Sequence, residues 1–221
     1  ALTDATFQSD FRMAADDNSS ATIETEYCSP TTGSCQYSEE RVGRIAVEPG
    51  DRMPGIPLHN FNASVSHALS ARWQVGLSAV AHSGSYLRGN ENNEHQPGMV
   101  REVTIFVPDP DRPGTFMATT AQRQPTTNKG RLAGYATFNL HTSYRFSPRW
   151  MATLSVTNLF DKQYFSAGRL GRNPFSPSIT GAVGESGYNH NSTDWLSTNF
   201  VAPGAPRAFA LRVRAQLGGG E

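Results

Sequence analysis

The feature that most constrains the fold of this chain is a regular alternation of apolar and polar residues in segments of about ten residues. It is clearest near the end of the chain, where two sets of residues alternate: Phe209, Leu211, Val213, Ala215 and Leu217 against Ala208, Ala210, Arg212, Arg214 and Gln216. Successive side chains of a β-strand point to opposite faces of a sheet. The segment is therefore predicted to be a strand with one apolar face.

The same alternation recurs four more times, at residues 60–69, 72–79, 135–146 and 150–160, with a weaker segment near 3–13. The expected total is about six strands. The connections between these strands alternate in length. Two are tight turns, at 69–72 and 146–149, and three are long and polar, from about 14 to 55, 83 to 131 and 166 to 204.

This rhythm of short and long connections distinguishes two all-β architectures. Connections in compact soluble domains are mostly about 4–6 residues long, whereas outer-membrane barrels have short periplasmic turns and long external loops. Aromatic residues also lie beside the two short turns, where a barrel places its interfacial girdle: Trp73, Tyr144, Phe146 and Trp150. The favoured prediction is an antiparallel transmembrane β-barrel portion, and the alternative is a soluble β-sandwich with half-buried strands.

Composition is consistent with this prediction. Hydrophobic residues make up 37% of the chain and charged residues 17%, and no apolar run approaches the length of about 18 residues that a membrane-spanning helix needs. The 19 basic residues balance the 19 acidic ones, so there is no basic excess to suggest nucleic acid as a partner.

The two cysteines, Cys28 and Cys35, flank a polar stretch that contains Pro30 and Gly33. Pro and Gly favour a turn, so we expect a disulfide that closes this loop in an oxidising compartment. A metal site is the alternative, but it would need closer pairs and histidines nearby. No metal and no cofactor are predicted.

Catalytic motifs are not found in the sequence. It has no nucleophile elbow, no His-Glu-x-x-His pair and no phosphate-binding loop with Lys, and its six histidines are scattered among different segments. We therefore expect a binding or transport protein and not an enzyme.

The segment from Val156 to Phe165, with Asn158-Leu159-Phe160-Asp161-Lys162 near its start, resembles the penultimate barrel strand of TonB-dependent outer-membrane receptors. Two further stretches agree in the right order: residues 48–61 resemble the start of a descending strand of that family, and residues 203–207 followed by the last strand resemble its C-terminal end. Three motifs in the family's order are stronger evidence than any one of them alone.

The resemblance implies that residues 1–221 are the C-terminal section of a receptor barrel of roughly 22 strands, with the plug and the earlier strands absent from this chain. The implied function is binding and import of a scarce nutrient, a ferric siderophore above all. The implied partners are outer-membrane lipid, the nutrient, and the TonB complex through the missing N-terminal region. The implied location is the outer membrane of a Gram-negative cell. The alternative function is a secreted or periplasmic, lectin-like β-sandwich binding module.

In the barrel interpretation, ligand-binding side chains lie on the long loops or on the face toward the lumen. The candidates are cations and aromatic residues: Arg88, Arg101, Arg169, Arg172, Tyr188 and Trp195. Arginine pairs with carboxylate or catecholate oxygens and stacks on flat rings. These residues would therefore suit an anionic ferric chelate.

Overall fold

The computed structural model describes residues 1–28, 35–98, 101–123, 127–179, 184–190 and 195–217 of the 221-residue chain. For 23–28, 35–42, 101–106 and 123 it describes the backbone alone. Fourteen strands are assigned in these ranges: β1 (Phe11–Ala14), β2 (Thr22–Cys28), β3 (Cys35–Val47), β4 (Asn60–Ser70), β5 (Trp73–His82), β6 (Ser85–Tyr86), β7 (Arg101–Pro108), β8 (Phe116–Arg123), β9 (Arg131–Leu132), β10 (Tyr135–Ser147), β11 (Trp150–Thr157), β12 (Phe165–Asn173), β13 (Leu196–Pro203) and β14 (Ala208–Ala215).

The largest sheet has five antiparallel strands in the order β14-β11-β10-β5-β4. Two tight connections join neighbouring strands, β4 to β5 and β10 to β11, as the sequence predicts. The sheet is open, with β4 and β14 at its edges. A single short 3₁₀ helix (Glu185–Gly187) is found in the described ranges, and none of the helices there is long and apolar enough to cross a membrane.

The register of the sheet gathers the apolar residues on one face. Leu211 lies opposite Leu154, and the row continues through Thr142 to Val75. The next row toward the other end of the sheet joins Phe209, Val156, Leu140, Leu77 and Val65. Leu154 is 37% exposed and Leu211 71% exposed, so this apolar face is largely open. No other described part of the chain covers these two leucines.

The opposite face carries small and polar residues. One of its rows joins Ala210, Ser155, His141 and Gly76. The His141 ring lies directly over Gly76, where the β-carbon of any other residue would collide with the imidazole. Glycine in the middle of this strand therefore has a packing reason, which is close approach of a ring from the neighbouring strand.

The aromatic residues beside the tight turns lie on the apolar face and are exposed: Trp73, Tyr144, Phe146 and Trp150. The rings of Tyr144 and Phe146 meet edge to face at 5.0 Å. The indole of Trp73 donates a hydrogen bond of 2.8 Å to the Thr142 hydroxyl, which in turn donates to the Gln74 carbonyl. Thr142, which lies in the same row as Leu154 and Leu211, thus makes its side-chain hydrogen bonds within the sheet.

Labelling of cysteine variants in intact cells tests the orientation of the sheet. The turns at Ser70–Ala71 and Ser147–Pro148 are predicted to face the periplasm, and the long segments the exterior. We expect an impermeant thiol reagent to modify Thr115→Cys, in the connection between β7 and β8, and to leave Ser147→Cys unmodified. The reverse labelling pattern would invert the topology.

The long connections are more ordered than the sequence predicts. Each contains an antiparallel hairpin: β2 with β3, β7 with β8, and β12 with β13. The weak strand expected near residues 3–13 is reduced to bridges at Leu2 and Thr6 and the four residues of β1. Residues of these strands such as Ile45, Val47 and Leu170 are buried in hydrophobic clusters, but polar residues interrupt the apolar pattern along each strand.

Two small hydrophobic clusters hold the hairpin end of the sheet together. The first contains buried Ala15, Ile45 and Val47, with Phe7 and Phe11 among the residues packed against it. The second contains buried Leu87, Leu132 and Leu170, with Val201 against it. Because the main sheet leaves its apolar face open, the buried apolar packing of the described chain is concentrated at this end.

The segment that carries the family resemblance is a tight turn at the end of β11. Asn158 and Asp161 both have positive φ, 50° and 53°, a backbone conformation that Asn and Asp tolerate better than most residues. The buried Asn158 amide donates to the carbonyls of Lys162 and Ala205 at 2.9 and 3.0 Å, and its oxygen accepts from the Lys162 amide at 2.9 Å. Asn158 therefore joins the two C-terminal motifs singled out in the sequence.

Asp161 and Tyr164 add to the same junction. The Asp161 carboxylate accepts a hydrogen bond of 3.1 Å from the Arg207 amide and lies 4.0 Å from its guanidinium. The Tyr164 ring covers Gly204, where a larger residue would collide with it, and its hydroxyl accepts from the Ala205 amide at 3.2 Å. The junction fixes where the main sheet ends and the β12–β13 hairpin begins.

The cysteines lie opposite each other in the ladder between β2 and β3. Opposed Cα atoms in antiparallel strands are about 4.5–5.5 Å apart, a separation that a disulfide can span. Their side chains lie outside the described residues, so the disulfide stays a prediction. We expect mass analysis of the unreduced protein to find no free thiol, and two free thiols would contradict it.

Candidate functional site

A cavity of about 730 Å³ opens at the hairpin end of the sheet. Its volume lies within the range of about 300–1,000 Å³ typical of small-molecule sites. Its walls come from β12 and from three stretches of chain, within residues 7–17, 53–56 and 88–91. The lining residues are Phe7, Met13, Ala14, Ala15, Asp16, Asp17, Met53, Pro54, Ile56, Arg88, Gly89, Glu91, Arg169 and Leu170. We call this space the mouth cavity.

Buried and half-buried asparagines hold the stretches around the mouth cavity together. The Asn18 amide donates to the Gly89 carbonyl at 2.8 Å and to the Asn92 side-chain oxygen at 3.0 Å. Asn93 exchanges two hydrogen bonds with the Arg52 backbone, at 2.8 and 3.0 Å. Asparagine satisfies backbone groups that irregular chain would otherwise leave unpaired. The Asn-rich run at 90–93 thus fixes the stretch of chain that supplies the lining residues Arg88, Gly89 and Glu91.

Asn90 and His95 extend this network to a third stretch of chain. The Asn90 amide donates to the Gly130 carbonyl at 3.1 Å, and its oxygen accepts from the His95 amide at 3.0 Å. The His95 Nδ1 accepts a hydrogen bond of 3.0 Å from the Ser19 amide. That bond requires a lone pair on Nδ1, so it is made by the neutral ring.

Burial lowers the pKa of His95, against smaller opposing effects from Asn128 and Asp17. The unfolded chain then binds a proton more readily than the folded loop, so the folded loop loses stability as pH falls below about 6.5. The test compares amide hydrogen exchange in residues 88–98 of the full-length receptor at pH 7 and at pH 5. After correction for the intrinsic effect of pH on exchange rates, we expect exchange in this segment to be faster at pH 5. His95→Gln should remove the pH dependence. The same dependence in that variant would show that another group is responsible.

Arg88 and Arg169 are brought together by backbone contacts. The Arg88 amide donates to the Gly168 carbonyl at 3.3 Å, and the Leu170 amide donates to the Arg88 carbonyl at 2.8 Å. Both residues are exposed and line the mouth cavity. Neither forms an ion pair with a carboxylate in the described part of the chain. Two adjacent cations without acidic partners favour an anion between them.

Arg172 is held differently. Its guanidinium lies 3.9 Å from the Asp16 carboxylate and 3.6 Å from that of Asp17. Asp17 also accepts a hydrogen bond of 3.0 Å from the Ser197 hydroxyl. These contacts neutralise Arg172 and tie the segment after β1 to the β12–β13 hairpin. Arg172 therefore connects these two segments, and its charge is already balanced by acidic residues.

Glu91 was not anticipated from the sequence. Its Oε1 accepts a hydrogen bond of 3.0 Å from the Gly89 amide, whereas its Oε2 is buried and has no hydrogen-bond partner in the described structure. Gly89 has a φ of +90° and lies close to Leu170, which favours glycine at this turn. In the sequence, Glu91 is one acid in a polar run, with nothing to indicate that it is buried.

The two aromatic candidates meet each other but not the mouth cavity. Tyr188 and Trp195 approach edge to face with ring centroids 6.0 Å apart, and Phe175 lies 6.1 Å from Tyr188. The Trp195 indole donates to the Asn189 carbonyl at 2.7 Å. Arg101 pairs with Arg123 in the β7–β8 ladder, but its side chain lies outside the described residues. Among the described residues no group of His, Cys, Asp and Glu could hold a metal ion.

Comparison with known proteins identifies the family. Residues 18–159 match the family described as TonB dependent receptor-like, β-barrel. The chain belongs to this family of outer-membrane β-barrels, and its strands with one exposed apolar face are barrel strands. The predictions of fold class, family and outer-membrane location are confirmed.

A search of curated proteins found no match. Among solved structures, the chain is similar to the ferric-catecholate import receptor Fiu of E. coli K12, at 16% identity over 74% of this chain and 15% of that one, with a TM-score of 0.41. It is also similar to the siderophore receptor PiuA of Acinetobacter baumannii, at 13% identity over 86% and 17% with a TM-score of 0.43. The ferripyoverdine receptor of Pseudomonas aeruginosa matches at 15% identity over 78% and 16%, with a TM-score of 0.38. The chain thus spans less than a fifth of each of these structures.

Proposed function

We propose that residues 1–221 are the C-terminal section of a receptor that binds a scarce nutrient at the cell surface and imports it across the outer membrane. The observation that carries this proposal is the match of residues 18–159 to the receptor barrel family. The open edges of the sheet at β4 and β14 support it, because unpaired strand edges are where the remaining strands of a barrel would pair.

The ligand class we propose is a ferric siderophore. Arg88 and Arg169 support it, since both line the mouth cavity and neither forms an ion pair with an acidic residue that the structure describes. Guanidinium groups bind carboxylate and catecholate oxygens through charge-assisted hydrogen bonds. The mechanism is binding followed by gated passage, with no covalent step and no enzymatic role. Energy would come from the TonB complex, through a region N-terminal to this section.

The polar face of the sheet suits passage of a hydrated ligand. Its side chains are small or uncharged over much of the sheet, as in the row of Ala210, Ser155 and Gly76. A lectin-like sandwich, the alternative, would need a second sheet over the apolar face. The described residues provide no such cover for Leu154 or Leu211.

Uptake of radioactive iron by cells in iron-poor medium tests the proposal. We expect deletion of the full-length receptor gene to abolish uptake of the cells' own ferric siderophore, and the wild-type gene to restore it. Removal of TonB should abolish uptake in the restored strain. Undiminished uptake after deletion, or uptake independent of TonB, would refute the proposed function.

A further inference from the structure

The five strands of the main sheet and their two tight turns carry charge of one sign only. Residues 60–82, 135–157 and 208–217 contain no Asp, Glu or Lys, and their charged residues other than histidine are arginines: Arg72, Arg145, Arg149, Arg212 and Arg214. All of these arginines lie toward the tight turns and are exposed. The positive charge of the sheet is therefore concentrated at its turn end, opposite the hairpin end.

The register places three of these arginines on the polar face of the sheet. Met151 lies between Arg145 and Arg214 in one row. Met151 is four residues before Ser155 on the same strand, and an even separation keeps side chains on one face. Arg212 is two residues before Arg214, so it shares that face. On the barrel this face lines the lumen, and the guanidinium groups are on the side away from lipid.

A cleft of about 310 Å³ lies among these residues at the turn end, and its lining includes Arg145, Arg149 and Arg214. Ser147 and Gln216 also line it. The Gln216 backbone amide donates to the Arg149 carbonyl at 2.9 Å, which holds the end of the last strand against the turn. The volume is at the lower end of the range of about 300–1,000 Å³ typical of small-molecule sites. We call this space the turn-end cleft.

The turn-end cleft has no acidic group of its own. Its lining includes no Asp or Glu in the part of the chain that the structure describes, and the ion pairs found in that part involve other arginines, Arg172 and Arg207. A cleft lined by one sign of charge concentrates counter-ions, and a guanidinium group binds a carboxylate or phosphate through two parallel hydrogen bonds. Three guanidinium groups around one cleft fit a small anion with two or more acidic groups.

We propose that the turn-end cleft is a second binding site for the acidic groups of the imported ligand, at the far end of the lumen wall from Arg88 and Arg169. The inference deepens the proposed function and rests on it. Between the two ends, the polar face of the main sheet offers hydroxyl and amide groups, such as those of Ser155 and Asn139. The ligand class is a chelate that keeps at least two acidic groups free of the metal.

Citrate binding to the full-length receptor in detergent tests the inference, with acetate as the singly charged control. The starting protein is the double variant Arg88→Ala, Arg169→Ala, which removes the pair of arginines in the mouth cavity. We expect calorimetry at low ionic strength to find one remaining citrate site per receptor. Acetate should bind there at least roughly tenfold more weakly, the difference typical of one charge-assisted hydrogen bond.

Variants at the turn end assign that site. Arg145→Gln and Arg214→Gln, added together to the starting protein, should weaken citrate binding at least roughly tenfold. Arg112→Gln is the matched control, because it removes an exposed arginine in the connection between β7 and β8, and it should leave the affinity unchanged. If the paired substitutions prevent folding, Arg149→Gln in the exposed turn replaces them and should also weaken citrate binding.

Iron import tests whether the site serves the imported ligand. With the mouth cavity intact, Arg145→Gln together with Arg214→Gln should lower the maximal rate of import of the cells' own ferric siderophore several-fold. Import at the wild-type rate would overturn the inference. Equal binding of citrate and acetate, or unchanged citrate affinity in the turn-end variants, would overturn it as well. No citrate binding in the starting protein would do the same, and would indicate that an acidic segment outside residues 1–221 already occupies these arginines.

Deletion of the receptor gene decides the proposed function separately. A receptor that imports iron but has no citrate site in the turn-end cleft retains its function and loses only this inference. A receptor whose deletion leaves iron uptake undiminished loses the proposed function, even where citrate binds in the cleft.

Discussion

Leu154→Arg in the full-length receptor is expected to block assembly into the outer membrane. Leu154 is in the middle of β11, between Leu211 and Thr142 on the exposed apolar face. On a barrel this face meets lipid, and an Arg at the bilayer midplane on that side costs about 2–4 kcal/mol. The measurement is the amount of heat-modifiable, folded receptor in isolated outer membranes.

Ser155→Arg is the matched control, since it places the same charge one residue further along the same strand. Ser155 lies on the polar face between Ala210 and His141, where an arginine can extend into the lumen. We expect this variant to assemble at the wild-type level and to change at most uptake or selectivity. Equal assembly of the two variants would mean that the apolar face does not contact lipid.

Asn158→Ala is expected to destabilise the receptor by about 2–4 kcal/mol, through loss of three hydrogen bonds in a buried position. The amide group of Asn158 joins the Lys162 backbone and the Ala205 carbonyl, which alanine would leave without these partners. Alanine is also less favourable than asparagine at a φ of 50°. The measurement is the urea concentration at which half of the purified receptor loses its heat-modifiable form.

Lys162→Ala tests whether the effect belongs to the amide of Asn158. Lys162 contributes only backbone atoms to these bonds, and its side chain is exposed, so the midpoint should not move. Asn158→Asp keeps the acceptor for the Lys162 amide but loses both donors, and should fall between wild type and Asn158→Ala. A wild-type midpoint in Asn158→Ala would show that the turn does not depend on this side chain.

The faces of the barrel strands were predictable from the sequence because the period of a strand is local. Leu154 and Leu211 occupy the same face in their own segments, and the register places them directly opposite each other. A slip of one residue would move every apolar side chain to the other face. Local alternation therefore fixes which side chains share the apolar face, with no information from elsewhere in the chain.

The long connections were less predictable, since polar hairpins carry a weaker pattern. The β12–β13 pair and the β7–β8 pair were expected to be loops, and both are ladders. β12 and β13 mix polar and small residues with isolated apolar ones such as Leu170 and Val201, which join a hydrophobic cluster, and the apolar alternation of β7 covers only residues 103–107. An apolar period reveals strands with a continuous apolar face and carries no information on backbone pairing. These strands were therefore not recognised in the sequence.

The sequence by itself determined the strands of the main sheet, their two faces, the tight turns and the family. Only the tertiary structure decided that Arg88 and Arg169 share a cavity with Glu91, whereas Arg172 is paired with Asp16 and Asp17. Alternation depends on neighbours two residues apart, but the path of an external loop depends on distant contacts such as that of Asn18 with Gly89. Such contacts leave no periodic trace in the sequence, so the candidate site could be described only after the chain was folded.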